Sequence, residues 1–233
     1  MSLKEFAIQV VLVPAGAEYQ SVKRAMQQVQ NPPQMIAIPT GPQALKRFLI
    51  TKQAQYVLQA NRILVLGLGG SLSTAYTIGE GLLLEKMWCG FVTEGLPVYV
   101  CDRTLTQAIA QRLPHIALGT GVTCDRVITT AAEKHQLRDR YGADIVEMEG
   151  AALLRALPSH CSVAILRVIS DDCHYDLPDI STAIGPDGHL KPMVLTWRFL
   201  RNPLAALRLI RGSLQALKAL ENVTVALFKT HDS

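Results

Sequence analysis

Two apolar runs that each end in acids constrain this chain more than any other feature. The first, Ala143 to Val146, opens into Val146-Glu147-Met148-Glu149-Gly150-Ala151-Ala152. The second, Ser162 to Ile169, closes on Arg167-Val168-Ile169-Ser170-Asp171-Asp172. Short runs rich in Val and Ile read as buried strands. The spacing between them predicts a helix from Gly150 to Leu157, stopped by Pro158. The result is a strand–helix–strand unit with carboxylates gathered at one edge. Strand ends of an α/β sheet are where such folds build ligand sites.

The rest of the chain alternates in the same way. Phe6–Val13, Met35–Pro39 and Arg62–Leu68 read as strands, the last followed by Gly69-Gly70. Gly81–Leu84 and Phe91–Thr93 read as strand pieces. His115–Ile128 reads as two strands broken near Gly119-Thr120-Gly121. Helical spacing covers Ala17–Val29, Gln43 to about Ala60, Thr104–Leu113 and Thr130–Tyr141, the last of them polar. Strands alternating with helices predict a three-layer α/β architecture.

The chain has 233 residues, enough for one large domain with a full core. It shows no linker, repeat or low-complexity tract, so residues 1–233 read as a single domain. The five cysteines (Cys89, Cys101, Cys124, Cys161, Cys173) form no CxxC pair. Reduced thiols in a cytoplasmic protein are therefore expected, not a zinc or disulfide framework. The start, Met1-Ser2-Leu3-Lys4-Glu5, has no apolar run after a basic residue, so no signal peptide is expected. No apolar run approaches the roughly 20 residues of a spanning helix. The six histidines lack metal-ligand spacing, and neither a metal nor an organic cofactor is expected. A net charge of +4 is mild, and no nucleic-acid partner is expected.

The two acidic stations resemble those of the nucleoside phosphorylase / methylthioadenosine–adenosylhomocysteine nucleosidase superfamily. That family carries V-E-M-E-x-x-A and, some twenty residues on, R-x-I-S-D. Val10–Glu18 resembles its first strand and acidic loop, and Leu64–Leu72 its glycine-rich second station. Ile78-Gly79-Glu80-Gly81-Leu82 resembles its V-G-D-I-V turn, and Thr123-Cys124-Asp125-Arg126-Val127-Ile128 its S-G-D-x-F-I strand. The resemblance covers about residues 5 to 175. Beyond that, Asp176-Leu177-Pro178, Pro186-Asp187-Gly188 and an arginine-bearing tail are most similar to the hopanoid-associated phosphorylase-like branch. The implied fold is a three-layer α/β/α domain with a central mixed, twisted sheet.

The resemblance also implies a chemistry, cleavage of a purine N-glycosidic bond. Such a reaction needs a proton for the departing base and a held sugar on which positive charge can develop. It implies Asp171 as the purine acid, with Asp at this place matching a 6-amino purine, hence adenine. Glu149 is implied as acceptor for the ribose hydroxyl pair, a task suited to two carboxylate oxygens. Met148 would pack on the sugar face, and Val127 and Ile128 would form the base slot. Glu18 aligns with the acid that activates water in the nucleosidases. Glu147 reads chiefly as a structural partner of Arg167. Plain alternatives remain at this level: Asp171 as a helix cap, Glu149 as a first-turn helix acid, Glu18 as a turn cap.

Phosphorolytic relatives hold phosphate with a Gly-Asp-Pro loop and an arginine before the glycine station. Here Pro14-Ala15-Gly16-Ala17-Glu18 and Val65 stand there, with Leu68 where relatives often place Ser. Water is therefore favoured as nucleophile, with phosphate as the alternative co-substrate held on the amides of Gly16, Gly69 and Gly70. Gly67-Leu68-Gly69-Gly70-Ser71-Leu72 also suggests a dinucleotide fingerprint, but its third glycine is absent. A methylthioadenosine/adenosylhomocysteine nucleosidase and a non-catalytic nucleoside-binding protein are the rival readings.

From Lys191 to Leu220 there is no acid but there are six bases. Asn202-Pro203 predicts a helix start. Arg208, Arg211 and Lys218 then share a stripe about 80° wide, beside Leu204, Leu207, Ile210, Leu214, Leu217 and Leu220. A basic amphipathic extension over about 192–221 would suit peripheral contact with an anionic membrane. The rival is an ordinary packed helix with one solvated basic edge. The branch resemblance implies a lipid-linked adenosylhopanoid as substrate, and the family resemblance implies a homo-oligomer.

Overall fold

The apolar runs fold as eight strands of one sheet in a computed structural model that describes residues 7–92, 95–178 and 203–229. The strands are β1 (Val10–Pro14), β2 (Gln34–Ile38), β3 (Arg62–Ser71), β4 (Gly81–Cys89), β5 (Val98–Val100), β6 (Ala117–Thr123), β7 (Ile145–Glu147) and β8 (Ser162–Asp171). The helices are α1 (Ala17–Met26), α2 (Pro42–Phe48), α3 (Gln55–Gln59), α4 (Arg103–Arg112), α5 (Ala131–Tyr141), α6 (Gly150–Ala156) and α7 (Pro203–Phe228).

The sheet is mixed. β2, β1, β3 and β8 run parallel in that order, and β4 pairs antiparallel with β8. β4 continues in parallel to β6, and β6 to β7. β7 then returns to β3, antiparallel, through Gly70↔Val146 and Ser71↔Ile145. Five strands, β3, β8, β4, β6 and β7, therefore close a ring, while β2 and β5 remain as edges. Closure brings the last residues of β7 and β8 against the glycine-rich end of β3.

Helices cover both faces. On one, Val22 and Met26 of α1, Leu105 and Ile109 of α4, and Ala216, Leu220 and Val223 of α7 pack on Val11, Leu64, Leu66 and Leu166. On the other, Leu45 of α2, Val57 of α3 and Ala151 and Leu153 of α6 pack on Leu12, Ile63, Val65 and Ile165. Strands with both faces covered read as continuous apolar runs, as β3 and β8 do here. Local chemistry sets the helix ends. Asp102 caps α4 at the Leu105 amide (2.7 Å), Thr130 caps α5 at the Glu133 amide (3.2 Å), and Gly142 closes α5 in the left-handed region.

Several expected boundaries move. The glycine-rich stretch after Leu68 is strand and not loop, because Gly69 and Gly70 pair with β8 and Gly70 and Ser71 with β7. β4 is one strand through Cys89, not a piece ending at Leu84, and β6 runs unbroken through Gly119-Thr120-Gly121. Val127 and Ile128 follow β6 in a loop. The helix expected over 43–60 splits into α2, a single 3-10 turn (Lys52–Ala54) and α3. Glu18 belongs to the first turn of α1 and not to the preceding loop.

The tail helix, described from Pro203 onward, packs as a full member of one outer layer. Leu220 is buried with Ala205, Ala206 and Ala216, whereas Leu207, Ile210 and Leu214 stay exposed. The wide apolar face is thus divided between core and surface. Residues 192–202 of the expected extension, and Pro186-Asp187-Gly188, lie outside the described residues. α7 approaches the end of β8 closely: a Cβ on Gly212 would stand 2.6 Å from the Ser170 carbonyl oxygen. Among the described residues no helix is long and apolar enough to cross a membrane.

Candidate active site

Arg167, fully buried near the end of β8, organises the acids around it. It donates to Glu147 and, at 3.2 Å, to Glu149. Glu147, the last residue of β7, also accepts from the Thr123 hydroxyl and the amides of Glu149 (3.1 Å) and Gly150 (2.8 Å). Its oxygens are thereby filled by structural partners, as the reading of Glu147 as a mate for Arg167 requires. Burial opposes the charge of Arg167, but attraction to Glu147, Glu149 and Glu18 outweighs it and raises its pKa. Gly67 makes room for the arginine: a Cβ there would lie 2.1 Å from Nη1 of Arg167 and 2.7 Å from a Glu18 oxygen.

Glu149 occupies the N-cap position of α6, yet its side chain makes no capping bond. It turns to Arg167 and accepts from the Gly41 amide at 3.2 Å. Burial pushes its pKa well above the usual carboxylate range, against the pull of Arg167. Glu18 accepts from the Leu68 amide at 2.6 Å, which ties α1 to β3. Burial raises its pKa to about 7, again against Arg167. One guanidinium among three carboxylates cannot neutralise them all, so the acids compete for the same positive charge.

Asp171 ends β8 as its final residue and caps no helix. One carboxylate oxygen, Oδ2, accepts from Lys134 of α5, and Oδ1 accepts from the Ser170 hydroxyl at 2.6 Å. Lys134 also donates to the Asp172 carbonyl and is fully buried.

A cavity of about 150 Å³ collects the expected site. Glu18, Gly69, Gly70, Val127, Ile128, Glu147, Met148, Glu149 and Asp171 all line it, together with Thr40, Leu68, Val146 and Ser170. Nine of the residues singled out from the sequence therefore reach one space, whereas Gly16 does not line it. The sequence reading missed Lys134, Thr123, Gly41 and Ser170. Ser170 and Thr123 lie inside the quoted motifs and were within reach. Lys134 sat in a helix read as polar, where nothing marks one lysine as buried. Among the described residues no cluster of His, Cys, Asp and Glu has the geometry to hold a metal ion. All five cysteines are free, and burial pushes Cys101 and Cys124 up to about 12.

The fold has known counterparts. The family model described as the phosphorylase superfamily matches residues 26–180. No curated protein matches the chain by sequence. Among solved structures, a 5′-methylthioadenosine/S-adenosylhomocysteine nucleosidase from Helicobacter pylori, bound to butyl-thio-DADMe-Immucillin-A, aligns with a TM-score of 0.61 at 16% identity. The alignment covers 93% of this chain and 97% of that one. Futalosine hydrolase of H. pylori strain 26695 gives 0.64 at 14% identity, covering 96% and 98%. The Streptococcus pneumoniae MTA/SAH nucleosidase, in complex with 8-aminoadenine, gives 0.57 at 16% identity, covering 91% and 100%. At such identities the likeness to these structures is one of fold.

The raised pKa of Glu18 has a consequence for stability. Its carboxyl binds a proton more tightly in the folded than in the unfolded chain, where the value is 4.5. That contribution is complete below about pH 4.5 and is lost as pH rises through about 7. Glu18→Gln should therefore melt about 2–4 °C above the wild type at pH 8, and show little difference at pH 4.5. Thermal unfolding at the two pH values measures this; an equal offset at both would remove Glu18 from the buried charge cluster.

Proposed function

The chain belongs to the phosphorylase superfamily; we propose that it is an enzyme cleaving the N-glycosidic bond of an adenine nucleoside, with Asp171 as the acid and Glu149 as the ribose acceptor. The observation that carries this reading is the single cavity shared by Asp171, Glu149, Met148 and the Val127–Ile128 wall. As the C–N bond breaks, its electron pair passes to the purine, and the Asp171 carboxyl gives its proton to N7. The base leaves neutral. Positive charge develops at the anomeric carbon, next to a wall that carries carboxyl groups. Glu149, braced by Arg167 and the Gly41 amide, accepts from the ribose hydroxyls. Glu18 takes a proton from the water whose oxygen bonds to the anomeric carbon. A base with a pKa of about 7 is matched to that step at neutral pH.

Water is the nucleophile in this proposal. The described cavity walls carry four carboxyl groups, those of Glu18, Glu147, Glu149 and Asp171, and no Lys or Arg. Arg167 stands behind them, its Nη2 engaged by Glu147 and Glu149. None of these lining groups offers a positive charge to an anionic phosphate. Two similar structures, a nucleosidase and a hydrolase, support the same choice.

A second reading concerns the substituent. A neighbouring cavity of about 270 Å³ shares Ser170 and Asp171 and is walled by Arg208, Arg211 and Gly212 of α7. On α7, exposed Leu207, Ile210 and Leu214 stand among exposed Arg208, Arg211 and Lys218. An apolar stripe edged by cations suits an anionic membrane surface. These features support a lipid-linked adenine nucleoside, such as an adenosylhopanoid, as substrate. A homo-oligomer is also proposed, since edge strand β5 leaves Val98 and Val100 exposed.

Adenine release from methylthioadenosine, adenosylhomocysteine, adenosine and adenosylhopane, each with and without phosphate, tests the activity. Release without phosphate is expected, and about 10³-fold slower turnover in Asp171→Asn; strict phosphate dependence would replace water as nucleophile, and silence on all four would end the adenine reading. Co-sedimentation should favour phosphatidylcholine vesicles containing phosphatidylglycerol over pure phosphatidylcholine. Arg208→Glu/Arg211→Glu should abolish that preference, and equal pelleting of variant and wild type counts against membrane contact. Light scattering should report more than one chain per particle, with Val100→Glu shifting it toward monomer; a monomeric wild type refutes the oligomer.

A further inference from the structure

Lys134 is fully buried and lies outside the motifs that define the site. An ammonium has three N–H donors and no acceptor. Here one points to Oδ2 of Asp171 and another to the Asp172 carbonyl. Two more contacts strap the same loop to the start of α5: the Leu177 amide donates to the Thr129 carbonyl (2.7 Å), and the Ala131 amide to Asp176 (2.8 Å). The acid is thus fastened to the helix that directly follows the Val127–Ile128 wall.

We propose that Lys134 is a positioning residue for the purine acid: by occupying Oδ2 it confines the transferable proton of Asp171 to Oδ1, beside Ser170. The inference rests on the adenine-nucleoside reading above and deepens it. The carbonyl oxygen of a carboxyl group is the stronger acceptor, so a donor held on Oδ2 favours the acid form protonated on Oδ1. Ser170 is placed to accommodate this. Its hydroxyl oxygen lies 2.6 Å from Oδ1 and 3.2 Å from the Gly69 carbonyl oxygen. Its single hydrogen serves one of them at a time. When Oδ1 is protonated, the hydroxyl donates to Gly69 and accepts from Asp171. When Oδ1 is bare, it donates to Asp171.

The reaction then moves one proton. The glycosidic electron pair goes to the purine, the Oδ1–H bond breaks and the N7–H bond forms. Asp171 is left as a carboxylate, its charge met by Lys134 on one oxygen and by the returning Ser170 hydroxyl on the other. Lys134 takes no part in the proton transfer itself, so it needs no path to solvent.

A double-mutant comparison tests this, with kcat and KM for adenine release measured in the wild type, Lys134→Met, Asp171→Asn and the double variant. Lys134→Met should lower kcat about 30-fold while KM stays within about threefold, a part of what a general acid supplies. In the Asp171→Asn background the same change should cost less than about twofold, because the group it acts through is gone. A structural role would instead multiply the two losses, and that result, or near-normal kcat in Lys134→Met, overturns the inference. Lys134→Gln runs alongside as a polar replacement, and thermal unfolding confirms that the variants compared are folded. A wild type that releases no adenine defeats the substrate reading itself, and the inference with it. A turning-over wild type with multiplicative losses defeats only the role of Lys134.

Discussion

One buried positive charge holds this site in place. Without Arg167, Glu147 and Glu149 would be carboxylates in a dry interior with no counter-ion, a state that costs several kcal/mol per group. With it, Glu147 becomes a saturated anchor, and Glu149 is left with oxygen lone pairs for a ligand. The charge balance remains incomplete, and that incompleteness is chemically useful. Glu18 and Glu149 retain protons at a pH where ordinary carboxylates have lost them. Gly67 belongs to the same device, since any side chain there would occupy the space of the guanidinium.

Ring closure explains how residues so distant along the chain converge. Glu18 comes from α1, Gly69 and Gly70 from β3, Val127 and Ile128 from the segment after β6, Glu149 from the β7–α6 junction, and Asp171 from β8. An open sheet would have spread these ends along an edge. The return of β7 to β3 folds that edge on itself, and the strand termini face one cavity. The acids sit on regular elements rather than on long loops, which limits how far they can drift.

Much of this was legible in the residues. The two acidic stations lie on a strand, a helix start and a strand end, as their flanking apolar runs implied, and all nine singled-out side chains or backbones reach the cavity. What escaped was information held between elements. The glycines after Leu68 looked like a loop because glycine is poor in strands; they are strand because two neighbours approach from different sides. Lys134 looked solvated in a polar helix, and only the fold shows that its ammonium meets Asp171. The tail read either as an appended amphipathic helix or as an ordinary packed one, and it packs. Its alanines, Ala205, Ala206 and Ala216, face the core and were passed over in favour of the more conspicuous leucines.

The contact of Gly212 with the Ser170 carbonyl bears on how this protein can change over time. A helix interior normally welcomes alanine in place of glycine. Here the extra methyl group would wedge the last helix away from the residue that precedes Asp171. Stabilising drift along the outer layer is therefore barred at that one turn, and the reactive end of β8 inherits the rigidity of a helix more than thirty residues further down the chain.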